Sequence, residues 1–171
     1  MGAPLGKARR LGRTYLEALS ARGDLLPGCR SVLRQLRARG LHLGVVTNGI
    51  DRVQRTRLQA ARLTSFLSVV VTSEGCGFAK PDPRILEVAL AALEVSPREA
   101  LYIGDDIRTD GGAAAAAGVP FCWMDRGAYG APARRPRVRV LHLGELLPIV
   151  DRRAAPRRGV RSGIANSQFQ T

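Results

Sequence analysis

Residues 101–110 read Leu101-Tyr102-Ile103-Gly104-Asp105-Asp106-Ile107-Arg108-Thr109-Asp110. The apolar run Leu101–Ile103 predicts a short buried strand, and Gly104 ends it where the backbone must turn. Two carboxylates follow at once, Asp105 and Asp106, with a third at Asp110. Acids gathered at the carboxyl end of a parallel strand stand where an open α/β sheet opens its ligand crevice. Hard oxygen donors of this kind suit Mg²⁺ better than a soft metal. Taken alone, the same residues read equally well as a solvated acidic turn in which Asp110 caps the next helix.

Working outward from this segment, strands and helices alternate. Upstream, Leu41–Val46 reads as a strand closed by Thr47-Asn48-Gly49, and Ser68–Thr72 as a nearly all β-branched strand of the doubly buried kind. Helical spacing predicts helices over 31–39, 51–62 and 84–93, with Gly40 as a stop signal for the first. Between the second strand and the third helix runs an irregular loop, Glu74 to Pro83, stiffened by two glycines and two prolines. Downstream, the alanine run Ala113–Ala117 predicts a helix ended by Gly118; strands follow over 119–124 and 138–143, and a helix over about 145–152. The order specifies an α/β fold, a parallel sheet with helices on both faces. At the ends, an amphipathic helix is expected over 11–22 and a disordered basic tail over 154–171.

Composition narrows the function classes. The chain of 171 residues is 45% hydrophobic, enough for one real core, and no apolar run approaches a membrane span. No secretory signal is visible at the amino terminus. Cys29, Cys76 and Cys122 are widely spaced and form no CxxC, which argues against a zinc site or disulfide framework and fits a reducing cytoplasm. The net charge of +13 is concentrated at the two ends, which carry +4 each, and aromatic residues make up only 5%. A specific nucleic-acid reader needs a coherent basic face with stacking rings, so neither specific nucleic-acid binding nor membrane insertion is expected. Oligomeric state is not legible.

The strand ends offer a more coherent reading. Thr47 and Asn48 close one strand, Lys80 lies on the loop after the next, and Asp105, Asp106 and Asp110 follow the third. In a parallel sheet all these ends face one rim, so groups distant in sequence converge. A hydroxyl with neighbouring backbone N–H groups, a lysine and carboxylate-bound Mg²⁺ together make a receptor for a phosphoryl group. Singly, Thr47-Asn48-Gly49 is an ordinary turn and Lys80 an ordinary surface lysine, although it is one of only two lysines, with Lys7.

Val45-Val46-Thr47-Asn48-Gly49, Gly77-Phe78-Ala79-Lys80-Pro81-Asp82-Pro83, and Ile103-Gly104-Asp105-Asp106 with Asp110 resemble the second, third and fourth motifs of the haloacid dehalogenase superfamily, in the right order. The likeness covers roughly residues 25–150 and is strongest to its helical-cap phosphatases and nucleotidases. The resemblance implies a Rossmann-like core over 25–153 preceded by a cap remnant over 1–24, and Mg²⁺-dependent hydrolysis of a small phosphorylated substrate through an aspartyl-phosphate. By the same resemblance Thr47, with Asn48 and Gly49, would bind the phosphoryl group, and Lys80 would neutralise it. Asp105 would hold Mg²⁺, and Asp110 would position the metal's waters or Lys80, with Asp106 as an alternate ligand only.

One departure bears on all of this. The superfamily's first motif, an Asp-x-Asp after an apolar strand, carries the nucleophile, and no Asp-x-Asp occurs in this sequence. The expectation is therefore of an amino-terminally truncated fold, silent as an isolated chain, with the strands leading to Thr47 and Asp105 separated, mispaired or left with open edges. A noncatalytic phosphate-binding remnant is the alternative reading, and a haloacid dehalogenase a weaker one.

Overall fold

The computed structural model describes residues 25–127 and 136–154. The helix expected over 11–22 and most of the expected tail lie outside these residues. Helix α1 spans Cys29–Ala38, with Val32 and Leu36 buried and its arginines outward. Strand β1 (Gly44–Thr47), helix α2 (Asp51–Ala60) and strand β2 (Val69–Thr72) follow. A short helix α3 (Ser73–Cys76) leads into the proline-bearing loop, then α4 (Arg84–Leu93), β3 (Tyr102–Gly104), α5 (Asp110–Ala116) and β4 (Phe121–Met124). Strand β5 (Arg139–Val140) and helix α6 (Leu146–Ala154) close the described chain.

Among the described residues all strand pairings are parallel, as expected, and they fall into two sheets. β1 pairs with β2 in the register Gly44↔Val69 to Thr47↔Thr72. β3, β4 and β5 form the second, with Tyr102↔Phe121 and Trp123↔Arg139. Strand alternation sorts the side chains onto two faces. Tyr102 and Phe121 pack with Ile85, Leu86, Ala89, Ala113 and Ala114 of α4 and α5. Leu101, Ile103, Cys122 and Met124 turn the other way, onto Leu146 and Ile149 of α6. The second sheet is thus covered on both faces.

Among the described residues no strand lies between β1 and β3. Ser68 N–H donates to Leu43 O at 2.7 Å, so Leu43 and, by alternation, Val45 direct their polar groups toward β2. Val46 therefore points its carbonyl away from β2. Two side chains meet it there, Lys80 Nζ at 3.3 Å and Tyr102 Oη at 3.4 Å. Tyr102 N–H, in turn, donates to Pro120 O at 2.9 Å, toward β4, which leaves the Ile103 polar groups on the opposite edge.

Several boundaries differ from the sequence reading, each for a local reason. Helix α5 begins at Asp110 rather than Ala113 and so includes Gly111 and Gly112. These glycines are there for closeness: a Cβ on Gly111 would sit 3.3 Å from the Phe121 ring, and one on Gly112 3.2 Å from Pro81. Strand β4 starts at Phe121 because Val119 N–H is still bonded to Ala114 O of the helix end. The expected strand over 138–143 is paired only at Arg139–Val140, since the chain turns into a 3₁₀ segment at Leu143–Glu145. Glu74, read as loop, lies in α3, which the Thr72 hydroxyl caps by accepting from Gly75 N–H at 3.1 Å.

Candidate active site

The carboxyl ends of β1 and β3 bring the marked residues to one rim. Lys80 is the centre of the cluster. Its ammonium donates to Asp110 Oδ1 at 2.6 Å, Tyr102 Oη at 3.1 Å and Val46 O at 3.3 Å. A lysine has three protons to give, and here each has an oxygen. The pair is well enclosed, with the Lys80 side chain 12% exposed and that of Asp110 6%.

Asp110 is equally engaged. Its Oδ1 receives Lys80 and the Tyr102 hydroxyl, at 3.1 Å, and its Oδ2 receives Asp106 N–H at 3.2 Å. Gly104 makes this possible. A Cβ there would lie 2.5 Å from Asp110 Cβ and closer still to the carboxylate, so only glycine lets α5 start this near β3. Burial, then the charges of Asp110 and Asp105, push the Tyr102 phenol far above its ordinary range, and it stays a neutral donor.

The Lys80 backbone is fixed by Asn48. Asn48 Nδ2 donates to Lys80 O at 3.0 Å, and Lys80 N–H donates to Asn48 Oδ1 at 2.8 Å. This two-way bond ties the β1 turn to the proline loop. The same turn is braced from β2: Gly49 N–H donates to Ser73 Oγ at 2.9 Å, Asp51 N–H to Glu74 Oε2 at 2.7 Å, and buried Thr72 to Asp51 Oδ1 at 2.8 Å. The Asp51 carboxyl is held below its usual range by Arg55 and by Thr72.

The sequence-marked residues thus divide. Asn48, Lys80 and Asp110 are joined by direct bonds through Lys80. Thr47 ends β1 at the same rim, its hydroxyl turned to Asn48 O at 3.3 Å. Gly49 is at the rim too, but its amide is committed to Ser73. Asp105 follows β3, its backbone carbonyl held by Trp123 Nε1 at 3.1 Å and its side chain facing Arg126 at 3.9 Å. Burial opposes the charge on Asp106, but the bonds it accepts from Thr109 and Arg108 prevail and lower its pKa, leaving it occupied with its own turn.

As a magnesium site the described residues are incomplete. Asp105, with 39% of its side chain exposed, offers an open carboxylate, whereas both oxygens of Asp110 are taken. No group of three or more potential ligands is assembled among the described residues. The donor chemistry fits one ligand to a hard cation and calls for further oxygens from elsewhere.

Tyr102 was not among the residues marked in the sequence, because it stands inside an apolar run and reads as core. The available signal was its phenol: a buried tyrosine hydroxyl needs a partner, and by strand alternation Tyr102 and Gly104 share a face.

The described residues form parallel α/β sheets that carry a lysine–carboxylate pair at their strand ends. Residues 6–124 match the haloacid dehalogenase-like hydrolases, and the chain belongs to that family. It is 38% identical over 146 residues to a phosphoserine phosphatase of Thermus thermophilus, covering 85% of this chain and 58% of that protein. It is 32% identical over 120 residues to a ribulose-1,5-bisphosphate 5-phosphatase of Halopiger xanaduensis, covering 70% of this chain and 50% of the relative. Among solved structures it superimposes on a HAD phosphatase from Thermococcus onnurineus with a TM-score of 0.73 at 29% identity, covering 80% of this chain and 64% of that one. A Bacillus subtilis HAD-hydrolase bound to magnesium gives 0.74 at 27% identity, with coverages of 81% and 61%. The chain therefore spans between half and three-fifths of the length of those two phosphatase relatives.

Proposed function

We infer that this chain carries the phosphate-gripping part of a phosphomonoester hydrolase acting on small phosphorylated substrates. The observation that carries the reading is Lys80: an enclosed ammonium at the strand-end rim, fixed in backbone and side chain, beside the end of β1 at Thr47. Phosphate oxygens would meet the Thr47 hydroxyl, the Asn48 turn and the Lys80 charge. Each of these gains strength as negative charge shifts in the transition state. The relatives act, by name, on phosphoserine, ribulose-1,5-bisphosphate and glyceraldehyde 3-phosphate, which supports small phosphomonoesters as the class. Magnesium belongs to the proposal: Asp105 would hold it, and bound there it would neutralise phosphate charge.

No Asp-x-Asp occurs in this sequence to supply the attacking group. We place it on an Asp-x-Asp strand that would lie between β1 and β3, whose facing backbone edges have no strand partner among the described residues. Supplied from upstream sequence, that strand would form the aspartyl-phosphate and complete the metal's oxygen ligands. The isolated chain is then a phosphate binder without turnover. The noncatalytic reading has its own support in the three internal acceptors that occupy Lys80. Free thiols at Cys29, Cys76 and Cys122 accord with a cytoplasmic setting, and no helix of the described residues is long and apolar enough to cross a membrane.

The test compares this chain with one extended upstream, both given p-nitrophenyl phosphate and Mg²⁺. The expected result is turnover by the extended chain alone, abolished by EDTA and by Asp105→Asn. Silence of both, with no Asp-x-Asp strand encoded upstream, would leave the noncatalytic reading.

A further inference from the structure

Three features outside the assigned roles carry chemistry: an open cavity near Leu26, Arg126 and His142, the Asp51–Thr72–Glu74 brace, and the Tyr102 hydroxyl. The cavity is mostly apolar, and the brace is satisfied within itself. The hydroxyl is different, because it touches the charge on which the proposed function rests.

We propose that Tyr102 is a positioning residue for Lys80, its hydroxyl fixing the ammonium between Asp110 and the end of β1 so that a phosphate meets a cation already aimed at the rim. This rests on the reading of Lys80 as the phosphate-facing charge. Lysine has a flexible four-carbon stem, and its ammonium settles wherever acceptors hold it. With Asp110 and Val46 alone it would have two, and the carboxylate at 2.6 Å would dominate. Tyr102 Oη supplies the third direction at 3.1 Å and shares Asp110 Oδ1, so it both draws on the ammonium and weakens the carboxylate's hold. The ring itself is anchored independently. It packs in the α4–α5 core, with its centroid 6.3 Å from that of Phe121. The hydroxyl is therefore held by the core, not by the loop it restrains.

The experiment exploits the chain's two lysines, Lys7 and Lys80. With ¹⁵N-lysine labelling, at most two side-chain ammonium signals are present, and Lys7→Arg assigns them. In the otherwise unchanged chain the Lys80 signal is expected to be sharp, with slowed proton exchange. Tyr102→Phe keeps the ring and removes the hydroxyl; it should speed exchange about tenfold, shift the signal, and weaken inorganic phosphate binding several-fold. Phe121→Leu, which trims one neighbour of the ring, keeps the hydroxyl and leaves the α4 and α5 contacts to hold it, should lower thermal stability while leaving the Lys80 signal in place. If Tyr102→Phe leaves the exchange and shift of Lys80 unchanged, the proposal is overturned whatever phosphate does. If the Lys80 signal responds but the unmutated chain binds no phosphate, Tyr102 keeps its positioning role and the phosphate reading falls.

Discussion

Gly104→Ala is expected to destabilise the chain by about 3 kcal/mol or more and to abolish phosphate binding together with the Lys80–Asp110 contact. The added Cβ would stand 2.5 Å from Asp110 Cβ, an atom fixed to the backbone that no change of rotamer moves aside. Relief requires β3 and the start of α5 to part. Because Asp110 comes from that first turn and Lys80 from the loop across it, parting the two elements opens the 2.6 Å bond. Gly118→Ala is the informative contrast. Its φ of +68° strains a side chain, but no atom lies within 4 Å of the new Cβ, so a loss of only about 1 kcal/mol is expected. Urea unfolding of both variants measures the difference. Equal losses would mean that the approach of α5 to β3 is not what Gly104 provides.

Lys80→Met carries the second large effect. The substitution leaves the Asp110 carboxylate, 6% exposed, without its cation and with only the Tyr102 hydroxyl and Asp106 N–H to satisfy it. Removing one partner of a buried pair costs about 3–5 kcal/mol. In a chain of this size that is a fall of roughly 10 °C in melting temperature. The double variant Lys80→Met/Asp110→Leu should be more stable than Lys80→Met, since two apolar groups replace a stranded charge. Phosphate binding should be lost in both. Stability and binding thus part company in the double variant, which shows that the pair is kept for its charge. A double variant as unstable as the sum of its singles would contradict this.

Part of the candidate site's geometry was legible because parallel topology converts strand ends into neighbours: Asn48, Lys80 and Asp110 are joined by direct bonds. Thr47 and Asp105 stand at the ends of β1 and β3, where a parallel sheet opens its crevice, and the loop after β2 carries Lys80 to Val46 O and Asp110. For β1 and β3 the expectation was of strands separated, mispaired or left with open edges, and the described residues form two sheets. What could not be read was side-chain direction. Asn48 looked like turn chemistry, and only the fold places its amide across both backbone groups of Lys80. Gly49 looked like a phosphate-facing amide, but α3, which sequence gave no sign of, brings Ser73 to occupy it. Tyr102 was hidden by its own apolar neighbours. The start of α5 was misplaced because the alanine run alone marked the helix, while Gly111 and Gly112 belong to it through close packing against Phe121 and Pro81.

The central claim is that phosphate is gripped at this rim, and not by the arginine-rich ends of a chain with net charge +13. Titration of inorganic phosphate into the ¹⁵N-labelled chain, followed by backbone amide shifts, decides it. Ionic strength of about 0.15 M limits unspecific attraction to about 8 Å. The account predicts saturable shifts concentrated at Thr47–Gly49, Lys80 and Asp105–Asp106, and absent in Lys80→Met. Shifts spread over the arginines, or confined to residues 1–24 and 155–171, would contradict it.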